Sequence, residues 1–534
     1  MRHEFPKGIW RALVAISFAL LAVQGSSVAP ARAAEAQIHE ITWALPGFPN
    51  TLLVAHEWNI YNGSIMSLVQ EGLLTFDDKL ALAPAIAESW QQVDPVTYKY
   101  TLRAGVTFQD GSPLTADDVV YTMKWNMNPD SRSQLAAFYA GVKSIDATGD
   151  REVTVTLEKP NVQFQYTVAH MAGFIMKKGQ LEENPESYGT PDVLPVGTGP
   201  YKIVEFVPDN HVVLEAYDGY WGGKPPVRKI TMTSIVDQQT RLLAMRNGEV
   251  DGTFDVSISD IDQWKALDNV DVITAPSLGV YMLTLDQKAP PFNDIHVRGA
   301  IAHAVDREGL VKALLKGNGA PAVAINPPEM WTGVMSPEEV TALYSTLDAY
   351  TFDIEKAKAE LAQSSVPNGF DVTVPAPSGV PYMVPILLSV SENLKQLGIT
   401  LNVQQVDDSQ WLSTYFAHDK LGMQIMSYFP DFADAANYPY LFFHTANAGK
   451  DGMNGSNYSN PKMDELLTAA LQKSDPKERA AVLREAIQLS SQDIAVVPVF
   501  WPASAMAINK KYKLQGYTAF WYNIPWALRG FGTN

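Results

Sequence analysis

Cysteine is absent from all 534 residues. No disulfide framework is therefore available, and no lipid can be attached through an N-terminal cysteine. Positive charge is scarce: 40 Lys and Arg stand against 58 Asp and Glu, a net charge of −18. That balance argues against nucleic acid or an anionic membrane surface as partner, and it also serves plain solubility. The nine histidines lie far apart, His296 and His303 being the closest pair, so no metal-ligand spacing appears and neither a metal nor a cofactor is expected. The chain has no G-x-S-x-G elbow, no H-E-x-x-H, no G-x-x-x-x-G-K-[ST] and no G-x-G-x-x-G. Gly197-Thr-Gly199-Pro200 lacks the lysine that would reach a phosphate and reads as a tight turn. These absences point away from an enzyme.

What is present is a globular composition, with 46% hydrophobic and 18% charged residues, in a chain too long for one core. Arg2, Lys7 and Arg11 precede an apolar run, Ala12 to Val23, and small residues ending Ala31-Arg32-Ala33. Basic, apolar, then A-x-A describes a cleavable export signal over 1–33, and the apolar run is too short to span a bilayer. Its removal takes away four cations and Glu4, which moves the net charge from −18 to −21. An exported chain without cysteine must draw its stability from core size, and it is expected to be free in a bacterial periplasm.

Along the chain, Ile38 to Leu45 reads as a first strand ending at Pro46-Gly47. Val54 to Gly72 is expected to turn helical towards its end. Thr115 to Asp118 outlines a capping box before a helix. Val153, Val155 and Leu157 alternate with polar residues as in a half-buried strand. Tyr201 to Phe206 and His211 to Ala216 form a strand pair, and Gly248 closes a helix begun at Asp237. Asn269 to Asp286 supplies two strands broken at Pro276-Ser-Leu-Gly279. Beyond it, Phe370 to Val374, Met383 to Leu397, Ile399 to Val406, Gln410 to Ala417 and Met423 to Phe429 run strand, helix, strand, helix, strand. That order predicts a parallel sheet. Asp475-Pro476 with Glu478 predicts a capped helix. Ala495 to Phe500 predicts a strand that the chain leaves at Trp501-Pro502.

The stretch with most chemistry is Met423 to Phe443. Pro430 ends the apolar run and Asp431 follows at once, framed by Tyr428, Phe429, Phe432 and Tyr438, with Asp434 three residues on. Ligands of open α/β sheets bind just past the carboxyl ends of strands. An acid there among aromatics suits a small, positively charged solute. A paired-carboxylate hydrolase using Asp431 and Asp434 is the alternative chemistry; a turn or helix cap is the bland one.

Three motif blocks carry a resemblance. They are Ala87-Glu-Ser-Trp90 with Tyr98 to Phe108 and Asp110 to Tyr121; Gly197 to Tyr201 with Asp218-Gly-Tyr-Trp-Gly222; and Pro291 to Ala300 followed by Ala304-Val-Asp-Arg307. In these the sequence resembles the family 5 extracellular solute-binding proteins, the dipeptide, oligopeptide and nickel receptors of ABC importers, from about Ile41 to the C-terminus. The resemblance implies an α/β, two-lobed venus flytrap with an extra subdomain inserted in lobe I. Lobe I would comprise 34–277, with the insertion at roughly 80–195; lobe II would comprise 278–501; and 502–534 would return to lobe I. It implies a monomeric receptor that captures a peptide or similar small organic solute between the lobes and delivers it to inner-membrane permease subunits. The family acid that holds the ligand's α-amino group sits in a W-x-x-D pattern. Here that reads Tyr428-Phe429-Pro430-Asp431, so Asp431 inherits the role and Tyr428 the aromatic flank. Leu45, Pro46, Gly47, Tyr281, Phe500 and Trp501 match cleft-lining positions. Asp434-Ala435 departs from the family's D-P. No arginine occurs between Arg307 and Arg479, so solutes lacking a free carboxylate, such as an opine-like conjugate, an oligosaccharide or a metal chelate, also fit.

Overall fold

The structure, a computed structural model, describes residues 37–348 and 350–533. The expected export signal lies outside the described residues. Among those that are described, no helix is long and apolar enough to cross a membrane.

One ten-stranded mixed sheet organises the chain. Its spatial order is Met423–Tyr428, Val280–Leu285, Val497–Asn509, Gly252–Thr253, Ile38–Leu45, Val227–Ser234, His211–Ala216 and Tyr201–Val207, with Val270–Pro276 and Gly319–Pro321 also pairing with Val497–Asn509. Ile38–Leu45 is parallel to both of its neighbours, so Leu45 and Thr253 finish at the same sheet edge. The expected parallel βαβαβ sheet needs correcting. Asp371–Pro377 and Thr400–Val406 are indeed parallel, but Met423–Tyr428 pairs antiparallel with Val280–Leu285 in the main sheet. Side-chain periodicity gives a strand's faces, not its partner.

Val497–Asn509 does not end at Trp501-Pro502 as the proline suggested; it continues for thirteen residues. A strand proline is tolerated where no ladder donor is needed. Pro502 stands where the strand changes company. Residues through Pro502 pair with Val280–Leu285 and Gly319–Pro321, and from Ala503 onwards the partner is Val270–Pro276. The other crossing lies alongside, because Ser277 donates both its N–H (3.2 Å) and its hydroxyl (2.7 Å) to the Pro502 carbonyl. Tyr438 ties the same place to the strand end at Tyr428, donating to Leu278 O at 2.7 Å and Tyr428 O at 3.1 Å.

A separate four-stranded antiparallel sheet, Ala87–Asp94, Thr97–Leu102, Glu152–Leu157 and Val142–Gly149, has its own core around Tyr98, Tyr100, Val119 and Val153. The helix Ala116–Met127 covers it. The Asp118 carboxylate there accepts both the Thr115 N–H (3.0 Å) and its hydroxyl (2.7 Å). Other start signals fared unevenly. The helix expected late in Val54 to Gly72 spans Ile60–Met66. Asp475 caps Pro476–Gln492 without a capping box, because Glu478 pairs instead with Lys473 at 2.7 Å.

The signature motifs turn out to be joinery. Glu71, 7% exposed, accepts hydrogen bonds from Tyr220 (2.8 Å), Trp221 Nε1 (2.9 Å) and Thr198 (3.0 Å). Burial still pushes its carboxyl up to about 7. Gln109 donates to the carbonyls of Val69, Gly199 and Tyr201. A Cβ on Gly197 would meet Val69 O at 1.9 Å, so only glycine lets the two segments approach.

Candidate functional site

The strand Met423–Tyr428 delivers Asp431 just past its carboxyl end. Pro430 forces the turn, and the carboxylate is left half-buried with one described partner, the Tyr428 hydroxyl at 3.3 Å. Burial pushes the Asp431 carboxyl up to about 6, against the pull of that hydroxyl. No cation reaches it among the described residues. A desolvated carboxylate with a single phenol as its hydrogen-bond donor gains by meeting an ammonium group, because the attraction rises as water is excluded.

Asp434 is a different case. It is 0% exposed, and Arg479 holds it in a two-pronged pair at 2.6 and 2.7 Å. Gln163 Nε2 at 2.8 Å and the Ala436 N–H at 3.0 Å also donate to it, and the Tyr166 hydroxyl lies beside it. Burial works to raise this carboxyl, but the Arg479 guanidinium outweighs it and holds it below the ordinary value. The charge of this ligand-binding candidate is committed to Arg479 inside the fold. The same commitment removes it as the second carboxylate of a hydrolase.

Several other candidates make packing contacts. Leu45 is fully buried in the core of the first strand, its carbonyl taken by the Ile235 N–H. Phe500 is also 0% exposed, and its ring lies 4.9 Å from that of Tyr281, which in turn meets Tyr382 at 5.8 Å. Trp501 packs against Tyr344. These rings line the crossing between lobes and brace it. Pro46 and Gly47 are half-buried at the carboxyl edge, with the Tyr61 ring lying close against Gly47. Phe429 is 52% exposed, its ring lying over Gly279.

Phe432 reaches across to the inserted sheet's side of the molecule. Its ring sits 5.7 Å from Phe138, 5.8 Å from Tyr166 and 6.0 Å from His170. Beside this seat the Val162 N–H donates to Leu471 O at 2.9 Å, and the Gln163–Asp434 bond runs the same way. Residues 138–170 and 432–471 therefore touch immediately next to Asp431. Phe432→Ala is expected to loosen this contact, seen as a larger radius of gyration of the ligand-free protein in small-angle scattering. An unchanged radius would show that the ring does not hold the lobes together.

Sequence reasoning missed Arg479, Gln163 and the ring seat, and also Asp255, whose strand Gly252–Thr253 is two residues long and leaves no periodicity to read. A cavity of about 540 Å³ lies between the halves on the side of Leu80, Pro276, Glu329, Met335 and Tyr517. Among the described residues no cluster of His, Asp and Glu could hold a metal ion.

The model for bacterial extracellular solute-binding proteins, family 5 middle, matches residues 81–450. Glutathione-binding protein GsiB of Salmonella choleraesuis strain SC-B67 is 25% identical over 459 residues, covering 84% of this chain and 86% of that protein. Among solved structures, HbpA2 from Haemophilus parasuis superposes with a TM-score of 0.81 at 24% identity, over 93% of this chain and 100% of that one. The periplasmic binding protein DppA from Helicobacter pylori, in complex with the peptide STSA, gives 0.73 at 23% identity, over 93% and 98%.

Proposed function

Since the chain belongs to the bacterial extracellular solute-binding proteins of family 5, we propose that it is the solute receptor of an ABC importer, holding an amine-bearing peptide or similar small organic solute between its lobes. The observation that carries this reading is Asp431: a half-buried carboxylate at a strand's carboxyl end, beside the Phe432 ring contact, with the Tyr428 hydroxyl its one hydrogen-bond donor among the described residues. GsiB is named for glutathione and the DppA structure holds a peptide; both solutes carry a free α-ammonium group, which is what Asp431 suits. Tyr428, Phe429 and Phe432 would surround that end of the solute, with Pro46 and Gly47 on the opposing edge.

The division into lobe I (34–277 and 502–534) and lobe II (278–501) places both boundaries where Ser277 meets Pro502, with the insertion at roughly 80–195. Capture would be a rotation about this place, followed by docking of the closed monomer on inner-membrane permease subunits. Export through a leader over 1–33 would put the protein in the periplasm.

Native mass spectrometry of the protein as isolated is the direct test. A bound species of small mass that carries a primary amine, and that is lost on mild unfolding, supports the reading. Turnover of added peptides or glycosides by the pure protein would overturn it in favour of a hydrolase. A protein whose melting temperature no peptide or amine shifts would be a scaffold instead.

A further inference from the structure

Asp255 occupies the position in lobe I that Asp431 occupies in lobe II. It follows the strand Gly252–Thr253, whose register against Ile38–Leu45 sets Thr253 beside Ala44, so Asp255 emerges at the same edge as Pro46 and Gly47. Its neighbour Phe254 stacks on Trp521 with ring centroids 3.9 Å apart. The next residue, Tyr522, packs against both of the larger hydrophobic cores. Tyr522 thus stands between the lobes, and its hydroxyl makes no hydrogen bond to a described residue. Burial first, then the charges of Asp431 and Asp255, hold its phenol above the ordinary value. The two carboxylates therefore face one tyrosine from opposite lobes.

The groups around Asp255 leave it short of a counter-ion. Tyr61, Arg241, Tyr517 and Tyr522 face it. Arg241 is the one cation among them, and its terminal nitrogens already serve the carbonyls of Ile235 (2.8 Å), Val236 (2.7 Å) and Asp255 itself (3.5 Å). Arg241 is 2% exposed, and its charge lowers the Asp255 carboxyl without outweighing the effect of burial. Burial accordingly pushes the Asp255 carboxyl up to about 6 despite the Tyr61 hydroxyl and Arg241. Two poorly solvated carboxylates at the facing edges of one cleft together favour a partner with two positive charges. The net charge of −18 attracts such a solute from a distance.

We propose that Asp255 is a second anionic pole of the cleft, and that the receptor selects solutes bearing two cationic groups: an amine on Asp431, and an ammonium or guanidinium on Asp255 with the chain between them lying along Tyr522. A peptide with a basic first residue and a short aliphatic diamine are the two simplest forms of that chemistry. The inference rests on the solute-receptor reading and specifies its substrate class.

The test is calorimetric titration at pH 7.5 with the tripeptides Lys-Ala-Ala and Ala-Ala-Ala and with 1,4-diaminobutane, on the wild type, Asp255→Asn and Asp255→Glu. Lys-Ala-Ala or the diamine should bind the wild type at least tenfold more tightly than Ala-Ala-Ala. Asp255→Asn should erase that preference while leaving Ala-Ala-Ala within about twofold, and Asp255→Glu should keep most of it. Equal binding of the charged and uncharged probes by the wild type overturns the inference alone, and does so even if the variants fold poorly. A preference that survives Asp255→Asn also overturns it. A wild type that binds none of these amines and no other peptide overturns the receptor reading along with it.

Discussion

Arg479→Met is expected to destabilise the folded protein by about 3–5 kcal/mol, because it strips the counter-ion from a carboxylate that has no access to water. Asp434 would keep Gln163 Nε2, the Ala436 N–H and the neighbouring Tyr166 hydroxyl, and none of them neutralises its charge. Urea unfolding of the ligand-free protein measures the loss. The double variant Asp434→Asn with Arg479→Met should lose much less than the single one, since no buried charge is then left unpaired. If the single and double variants are equally stable, the pair is not coupled. The pH dependence has a definite sign. The folded state holds Asp434 below its ordinary value of 3.8, so the pair's contribution is complete above that pH and is lost as acid protonates the carboxylate. The gap between wild type and Arg479→Met should therefore narrow in strong acid.

Asp431→Asn should weaken an amine-bearing ligand by about 2–5 kcal/mol, at least thirtyfold, because the ammonium would enter a desolvated cleft and find a neutral amide. Calorimetry with a binding peptide measures this, and an unaltered affinity removes Asp431 from the site. The ligand-free protein should respond in the opposite direction. With its carboxyl raised to about 6 from 3.8, the folded state takes up a proton that the unfolded chain does not, so the charged form is a burden above pH 6. The variant's melting temperature at neutral pH should not fall. In the wild type, affinity for the amine should be flat above about pH 7 and decline as the medium is acidified through pH 6, where the neutral carboxyl gives up its hold.

The division between what the sequence made legible and what it hid follows a physical line. Local signals were readable: Ile38–Leu45 from its apolar pattern, Ala116–Met127 from Thr115 and Asp118, and the turn at Gly248 from glycine's freedom at positive φ. Asp431 was legible because Pro430 ends a strand one residue before it. Partners distant in the chain were not. Nothing near Asp434 announces Arg479, forty-five residues on, or Gln163, two hundred and seventy-one residues back. The partner of Met423–Tyr428 is likewise chosen by tertiary packing, which periodicity does not encode. Tyr281, Phe500 and Trp501 pack against other rings, and an aromatic ring that braces a crossing and one that stacks on a solute look alike in sequence.

The strand that changes partners at Pro502 also sets the energy scale of capture. Its ladder runs mainly with Val280–Leu285 and Gly319–Pro321 up to Pro502 and with Val270–Pro276 beyond it, so few backbone pairs bridge the change of partner, the Ala503 N–H to Asn318 O bond at 3.1 Å being one. On the side of Asp431 the contacts across this place are a few ring contacts, the Val162–Leu471 bond and the Gln163–Asp434 bond, and a rotation that broke only these would cost little. A solute needs only modest differential affinity to shift such a balance, and a permease needs little work to reverse it. The receptor is in this sense a spring of low stiffness on a rigid axle, tuned to release as readily as it holds.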